Sequence, residues 1–246
     1  MNEEALKAAV IEAGESEQGV ACRTALCESL ATAFKRAGEG LWVGGSIIGP
    51  ERVEGRSPFG FGEDSVVALG TVVQIAGELT AGVVTLLQQN DRYGAAALLR
   101  QLVEVEYLTW AFAEEDDDAM NWIRSTREDR MKLWQPRHIQ KRAGGRFRGR
   151  DYELHCEQGG HPTPAGIHLL PTHHGSRPDF FTWNDLATHG LSAWDYMLSA
   201  VDRKGYSTPL RALPEAEALT AARQGWEKDD PLLPLLADAK RFINVP

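Results

Sequence analysis

The sequence predicts an all-α protein, a multi-helix bundle of about seven to eight helices in one domain over residues 1–246. Three observations carry this. Apolar residues recur at three- and four-residue steps through most of the chain, no alternating strand-like run occurs, and glycine and proline gather in a few places. Taken in order, Leu26, Leu30, Ala33, Phe34, Ala37 and Leu41 form one stripe of an amphipathic helix starting near Ser16. Glycine and proline crowd residues 44–62, which read as an irregular loop. A strongly apolar helix from about Glu63 to Gln89 follows, stopped by Asn90-Asp91.

The next helix runs from about Tyr93 to Ala113. Leu99, Leu102, Val103, Glu106 and Trp110 share one face, and Arg100 and Glu104 lie one turn apart on another. An acidic run, Glu114 to Asp118, leads into a helix over about Ala119 to Trp134. Pro136 and Gly144-Gly145 then interrupt the pattern, and a His/Pro-rich loop occupies residues 159–181. Thr182 and Asp185 have capping-box spacing for a helix through Val201, and Pro214 and Asp230-Pro231 mark two further starts.

Composition bounds the function. With 43% apolar and 25% charged residues the chain has material for a sizeable core. A net charge of −9 argues against a nucleic-acid coat protein or a polybasic membrane binder, while leaving room for a local basic groove. Cys22, Cys27 and Cys156 make an odd number without a CxxC pair, which fits a reducing compartment. Met1-Asn2-Glu3-Glu4 has neither a basic nor an apolar leader region, so a cytoplasmic location is expected. Residues 65–87 approach the length of a membrane span, but Gln74 and Glu78 near the middle favour a helix buried in a bundle, and no membrane partner is expected.

Chemistry concentrates between Arg150 and the histidines that follow. His155, His161, His168, His173 and His174 come close together, after an approach carrying Arg137, Lys141, Arg142, Arg146, Arg148 and Arg150 with no acid among them and Phe147 interleaved. An arginine fork can hold a phosphate while an imidazole moves a proton. Arg150 and His155, with His161 as a second acid or orienting group, are therefore the candidate catalytic residues. Lys141, Arg142, Arg146 and Arg148 are candidates for tracking a phosphodiester backbone, and the partner so implied is RNA. A solvated basic face is the plainer alternative. The histidines and Cys156 include zinc-type ligands, but their spacing matches no familiar zinc module, so no metal or cofactor is assigned, and a metal-dependent hydrolase stays a third reading.

Two resemblances attach to these residues. Arg150-Asp151-x-x-x-His155 resembles the R-x4-H motif of HEPN proteins (higher eukaryotes and prokaryotes nucleotide-binding). That likeness implies an all-helical, usually dimeric protein, a metal-independent ribonuclease activity with His155 as base and Arg150 on the phosphorane, and a homodimer or a neutralising protein partner. The chain departs from many such toxins at Glu157, where they carry tyrosine. Separately, Arg100-x3-Glu104 followed by Tyr152-x-Leu154-x-Cys156-x4-His161-Pro162 is similar to an uncharacterised family of bacterial helical proteins. That resemblance implies that Arg100, Glu104, Tyr152 and His161 converge inside the bundle, either around a cleft or as a non-catalytic Arg-Glu-His brace.

Overall fold

Two helices, each with a pair of glycines seven residues apart, set the frame of the bundle. The structure, a computed structural model, describes residues 3–47, 63–147, 149–170 and 178–243, without the side chains of Ile47, Arg150 and residues 238–243. After α1 (Glu3–Glu15), α2 (Glu17–Ile47) and α3 (Asp64–Gln88) run antiparallel with their backbones in contact. A Cβ added at Gly70 would stand 2.6 Å from the Trp42 nitrogen, at Gly38 2.7 Å from that of Gln74, at Gly45 2.8 Å from that of Val67 and at Gly77 2.9 Å from that of Lys35. Only hydrogen fits at these four places, since each obstacle is main chain that cannot turn aside.

The remaining α-helices are α4 (Arg92–Glu114), α5 (Asp118–Ile123), α6 (Arg127–Leu133), α7 (Pro136–Arg142), α8 (Gly149–His155), α9 (Asp179–Asp202), α10 (Ser207–Arg211), α11 (Pro214–Asp229) and α12 (Leu232–Ile243). A π-helix, Cys156–Gly160, continues α8, and a 3₁₀ helix covers Pro164–Leu169. No strand occurs among the described residues. The all-α class therefore holds, but the helices outnumber the seven or eight expected because several are short.

One apolar cluster threads α2, α3, α4, α9 and α11, with Leu30, Phe34, Leu69, Leu102, Tyr107 and Met197 at most 2% exposed. The helix α3 is long and apolar enough to cross a membrane, and 67% of its most apolar stretch is covered inside the bundle. Its neighbours α2, α4, α5 and α9 account for that cover. A smaller cluster of Ala13, Phe180 and Leu232 joins α1, α9 and α12. Next to it Arg23 is fully buried, with Nη1 2.9 and 2.8 Å from the two Asp230 oxygens and Nη2 donating to the Gly14 carbonyl. Asp230 Oδ1 also accepts from the Leu232 amide at 3.0 Å, so the buried ion pair is hydrogen-bonded further on its carboxylate side.

Element boundaries differ from expectation at four places, each for a local reason. The helix α2 continues through Gly44-Gly45 to Ile47 because Gly45 packs against Val67, so only residues 48–62 remain of the proposed loop, and these lie outside the described residues. The single helix expected over 119–134 is two, because Thr126 and Asp129 form a reciprocal capping box that starts α6 afresh. At α9 the extended Pro178 is the N-cap, so Thr182 is a buried residue of the helix and not its cap. The proposed 159–181 loop instead holds the end of the π-helix and a 3₁₀ helix, with residues 171–177, including His173 and His174, outside the described residues. Pro214 does begin α11, at the first helical turn.

The glycine contacts generate a paired prediction. Gly70→Leu overpacks the α2–α3 interface and is expected to cost about 1–3 kcal/mol, a fall in Tm of about 2–12 °C. Gly40, on the same helix as Gly38, has nothing within 4 Å of an added Cβ. Gly40→Ala should therefore leave the Tm unchanged or raise it, by up to about 1 kcal/mol of stability. Thermal unfolding followed by circular dichroism separates the two.

Candidate functional site

The segment formed by α8 and the π-helix lies on α4 and carries two neighbouring rows of polar side chains. The π turn closes with the His161 amide donating to the Cys156 carbonyl at 3.2 Å. It sits backbone to backbone on α4, since a Cβ at Gly159 would stand 2.6 Å from the Ala96 carbonyl carbon. Single π turns occur often at functional sites, because the widened turn re-aims the side chains that follow. On α8 the i,i+4 pair Asp151 and His155 makes one row; Tyr152 and Cys156, one residue on, make the next.

The second row meets Arg100 and Glu104. Arg100 Nη1 donates to Glu104 Oε1 at 2.7 Å and to the Tyr152 hydroxyl at 2.9 Å, and that hydroxyl donates to the same Glu104 oxygen at 2.9 Å. The Cys156 thiol is also within hydrogen-bonding reach of Arg100. Burial and the Glu104 carboxylate together push the Tyr152 hydroxyl well above its ordinary pKa, so it stays a donor. Arg100 and Glu104 keep 22% and 34% exposure, because one side of the triad faces a cleft.

That cleft has a volume of about 580 Å³ and is lined by Glu104 and Tyr152 together with Trp122, Arg130, Met131, Trp134, Gln135, Pro136 and Arg137. Arg130 and Arg137 are exposed at its edge. The Arg142 guanidinium lies over the Trp134 ring, 5.6 Å from its centre, and Arg142 also pairs with Asp118. Residues 119–150 contain ten Lys and Arg against two Asp and Glu, so this stretch of sequence is strongly basic in a chain whose net charge is −9.

The first row of α8 points into the bundle, toward α9. His189 on α9 donates from Nδ1 to Glu106 Oε2 at 2.6 Å, which turns its Nε2 toward Asp151 Oδ2 at 3.6 Å. His155 Nε2 lies 3.9 Å from Asp151 Oδ1, and the two imidazole rings stand edge to face with centres 5.2 Å apart. His155 and His189 are buried, whereas the Asp151 side chain is 39% exposed. Burial pushes the His189 pKa down, but the Glu106 hydrogen bond and charge, aided by Asp151 and Asp185, outweigh it and hold the pKa above the ordinary histidine value. One ligand atom from each of Asp151, His155 and His189 lies within 4.8 Å of the others.

The sequence-predicted residues thus fall into separate places. Arg100, Glu104 and Tyr152 come together, while His161 is exposed and is tied in by main-chain hydrogen bonds to Cys156 and Thr163. His155 is 4% exposed and packs against His189 rather than lining the open cleft. Arg150 lies in α8, its side chain outside the described part, and Arg148 lies outside the described residues. Lys141 and Arg146 are exposed, whereas Arg142 is committed to Asp118, Trp110 and Trp134. Phe147 is wedged between Tyr107 (centroids 4.1 Å apart) and Trp110 (5.4 Å), so it anchors the basic segment to the core. Sequence reasoning missed His189 and the role of Glu106. The available signal was an imidazole and a carboxylate on the apolar faces of two helices, each of which needs a buried partner. No protein-family model, no curated protein and no solved structure matches the chain.

Both polar groupings have measurable weight. His189→Leu leaves the Glu106 carboxylate buried without its partner and should cost about 3–5 kcal/mol in urea unfolding; the double change Glu106→Leu with His189→Leu should recover most of that. The Arg100–Glu104–Tyr152 triad is half-exposed, so Arg100→Ala should lower the Tm by only about 2–4 °C, the equivalent of about 1 kcal/mol. A double-mutant cycle of Arg100→Ala with Tyr152→Phe should show non-additivity above about 0.5 kcal/mol.

Proposed function

We propose that the chain binds single-stranded RNA in the cleft between α4, α6 and α8. The observation that carries this reading is the meeting of aromatic surface and basic charge. Trp122 and Tyr152, both part-exposed, supply flat apolar faces, the mostly buried Trp134 forms the floor beneath them, and Arg130 and Arg137 stand at the mouth, with exposed Lys141 and Arg146 on the same basic stretch of chain. Bases stack on such faces regardless of sequence, and the cations neutralise phosphates and release counterions. The interior of the cleft favours RNA over DNA. A 2′-hydroxyl is a donor that deoxyribose lacks, and Glu104, whose Oε1 is taken by Arg100 and Tyr152, has its second carboxylate oxygen to accept it. Arg100 balances the Glu104 charge, so the carboxylate does not repel the phosphates.

Cleavage at His155 is not part of this proposal, because a ring 4% exposed and packed on His189 is out of a phosphodiester's reach. A second reading, favoured by the closed hydrogen-bond triad of Arg100, Glu104 and Tyr152, is a non-catalytic interaction protein in which these side chains only brace α8 on α4.

The two readings part in a titration of labelled single-stranded RNA followed by anisotropy, run in chelator at several salt concentrations. Binding should weaken with salt, and the double change Arg130→Ala with Arg137→Ala should flatten the log–log slope by about 1–1.5, at roughly 0.7 per lost phosphate contact. Trp122→Ala should cost about 1–3 kcal/mol, roughly 5- to 150-fold in Kd. Absence of salt-dependent association, or equal binding by the double arginine variant, rejects the RNA reading.

A further inference from the structure

On the inner side of α8, away from the cleft, Asp151, His155 and His189 form a ligand set assembled from two helices. We propose that these three side chains bind a single first-row divalent cation, zinc foremost, with Glu106 as the carboxylate that orients His189. The proposal does not depend on RNA binding.

The chemistry fits in kind and number. Imidazole and carboxylate are the donors that first-row divalent ions such as zinc take, and three protein ligands are what a zinc site with one open position carries. The spacing fits as well. Bonds of 2.0–2.1 Å at tetrahedral angles put ligand atoms roughly 3.3 Å apart. Here His189 Nε2 and Asp151 Oδ2 are 3.6 Å apart, His155 Nε2 and Asp151 Oδ1 3.9 Å, and each of the three residues offers an atom within 4.8 Å of the others. Shifts of up to about 1 Å per side chain close the set around an ion.

The surroundings are those of a metal ligand rather than of an isolated ion pair. A histidine that ligates through one ring nitrogen usually donates the other N–H to a carboxylate, which fixes tautomer and orientation. The 2.6 Å bond from His189 Nδ1 to Glu106 does this, on the face opposite Asp151. Charge balances too, since two carboxylates and two neutral imidazoles around a dication sum to zero in a region where His155 and His189 are buried. Asp151, 39% exposed, marks the entry path and the side on which the open position faces solvent.

The test uses full-length protein purified without an affinity tag, stripped with chelator and titrated with Co²⁺ as a spectroscopic stand-in for zinc. One equivalent per chain should produce a visible d–d band that Zn²⁺ abolishes. The band should vanish in Asp151→Asn, whose half-exposed site makes folding the safer outcome, and in His155→Asn. It should appear only at 10- to 100-fold higher Co²⁺ in Glu106→Gln. Circular dichroism establishes that each variant is folded. The rival ligands are the other clustered histidines, so a variant with His161, His168, His173 and His174 all changed to alanine should keep the band. A band that persists in Asp151→Asn, one lost in the four-histidine variant, or no stoichiometric uptake by the wild-type chain overturns the proposal.

Discussion

The structure turns on the need of α4 to bury ionisable groups on more than one face. Its apolar stripe packs on α3 and α9, yet Glu106 lies within that stripe at 7% exposure, and Arg100 and Glu104 project beside it. A carboxylate taken from water costs several kcal/mol unless hydrogen-bonded and neutralised. His189 supplies both for Glu106, and Tyr152 supplies a shared hydroxyl for Arg100 and Glu104. Each demand is met by a different helix, so α9 and α8 are fixed on α4 by polar contacts as well as by apolar area.

The α2–α3 hairpin answers a different constraint. Its four glycines bring the two helix backbones together, which places α3 deep enough for α4, α5 and α9 to cover it. The ends of this layer are held by ions. Asp64 at the head of α3 receives Arg124 at 2.7 Å, and Arg203 donates to the carbonyls of Phe112 and Ala113 at the end of α4, where helix carbonyls lack partners.

Local signals were legible in the sequence, and contacts between distant residues were not. Helical periodicity gave the class and the cores of α2, α3, α4 and α9, and Pro214 gave the start of α11, because these depend on residues within one or two turns. Thr126-x-x-Asp129 was equally local and was overlooked inside an apparently continuous 119–134 pattern, at the cost of one helix boundary. The reading of residues 44–62 as loop failed at its start for another reason. A glycine that loosens an isolated helix becomes favourable when a second backbone lies against it, and Gly45 needs Val67 to show that. The same limit hid the fully buried Arg23–Asp230 pair, whose partners are 207 positions apart. Arg100, Glu104 and Tyr152 were brought together in advance by resemblance, whereas His189 lay outside the histidine cluster in sequence and joined His155 only through the packing of α8 against α9.

The register of α8 follows from meeting both polar demands at once. Successive residues on a helix point about 100° apart. Asp151 and His155 therefore look inward to His189 while Tyr152 and Cys156 look toward Arg100, with a single residue of offset between the two rows. A rotation of α8 by one residue that presented Tyr152 to the buried imidazole would bring Glu153 to the Glu104 carboxylate, exchanging one favourable contact for a mismatch and the other for like-charge repulsion. Two independent clusters thus select the same setting of one short helix, and the π turn after it, seated on Ala96 by Gly159, fixes its height along α4. A seven-residue helix is too short to hold itself. What holds this one is that its two polar rows have different partners, each satisfied in only one orientation.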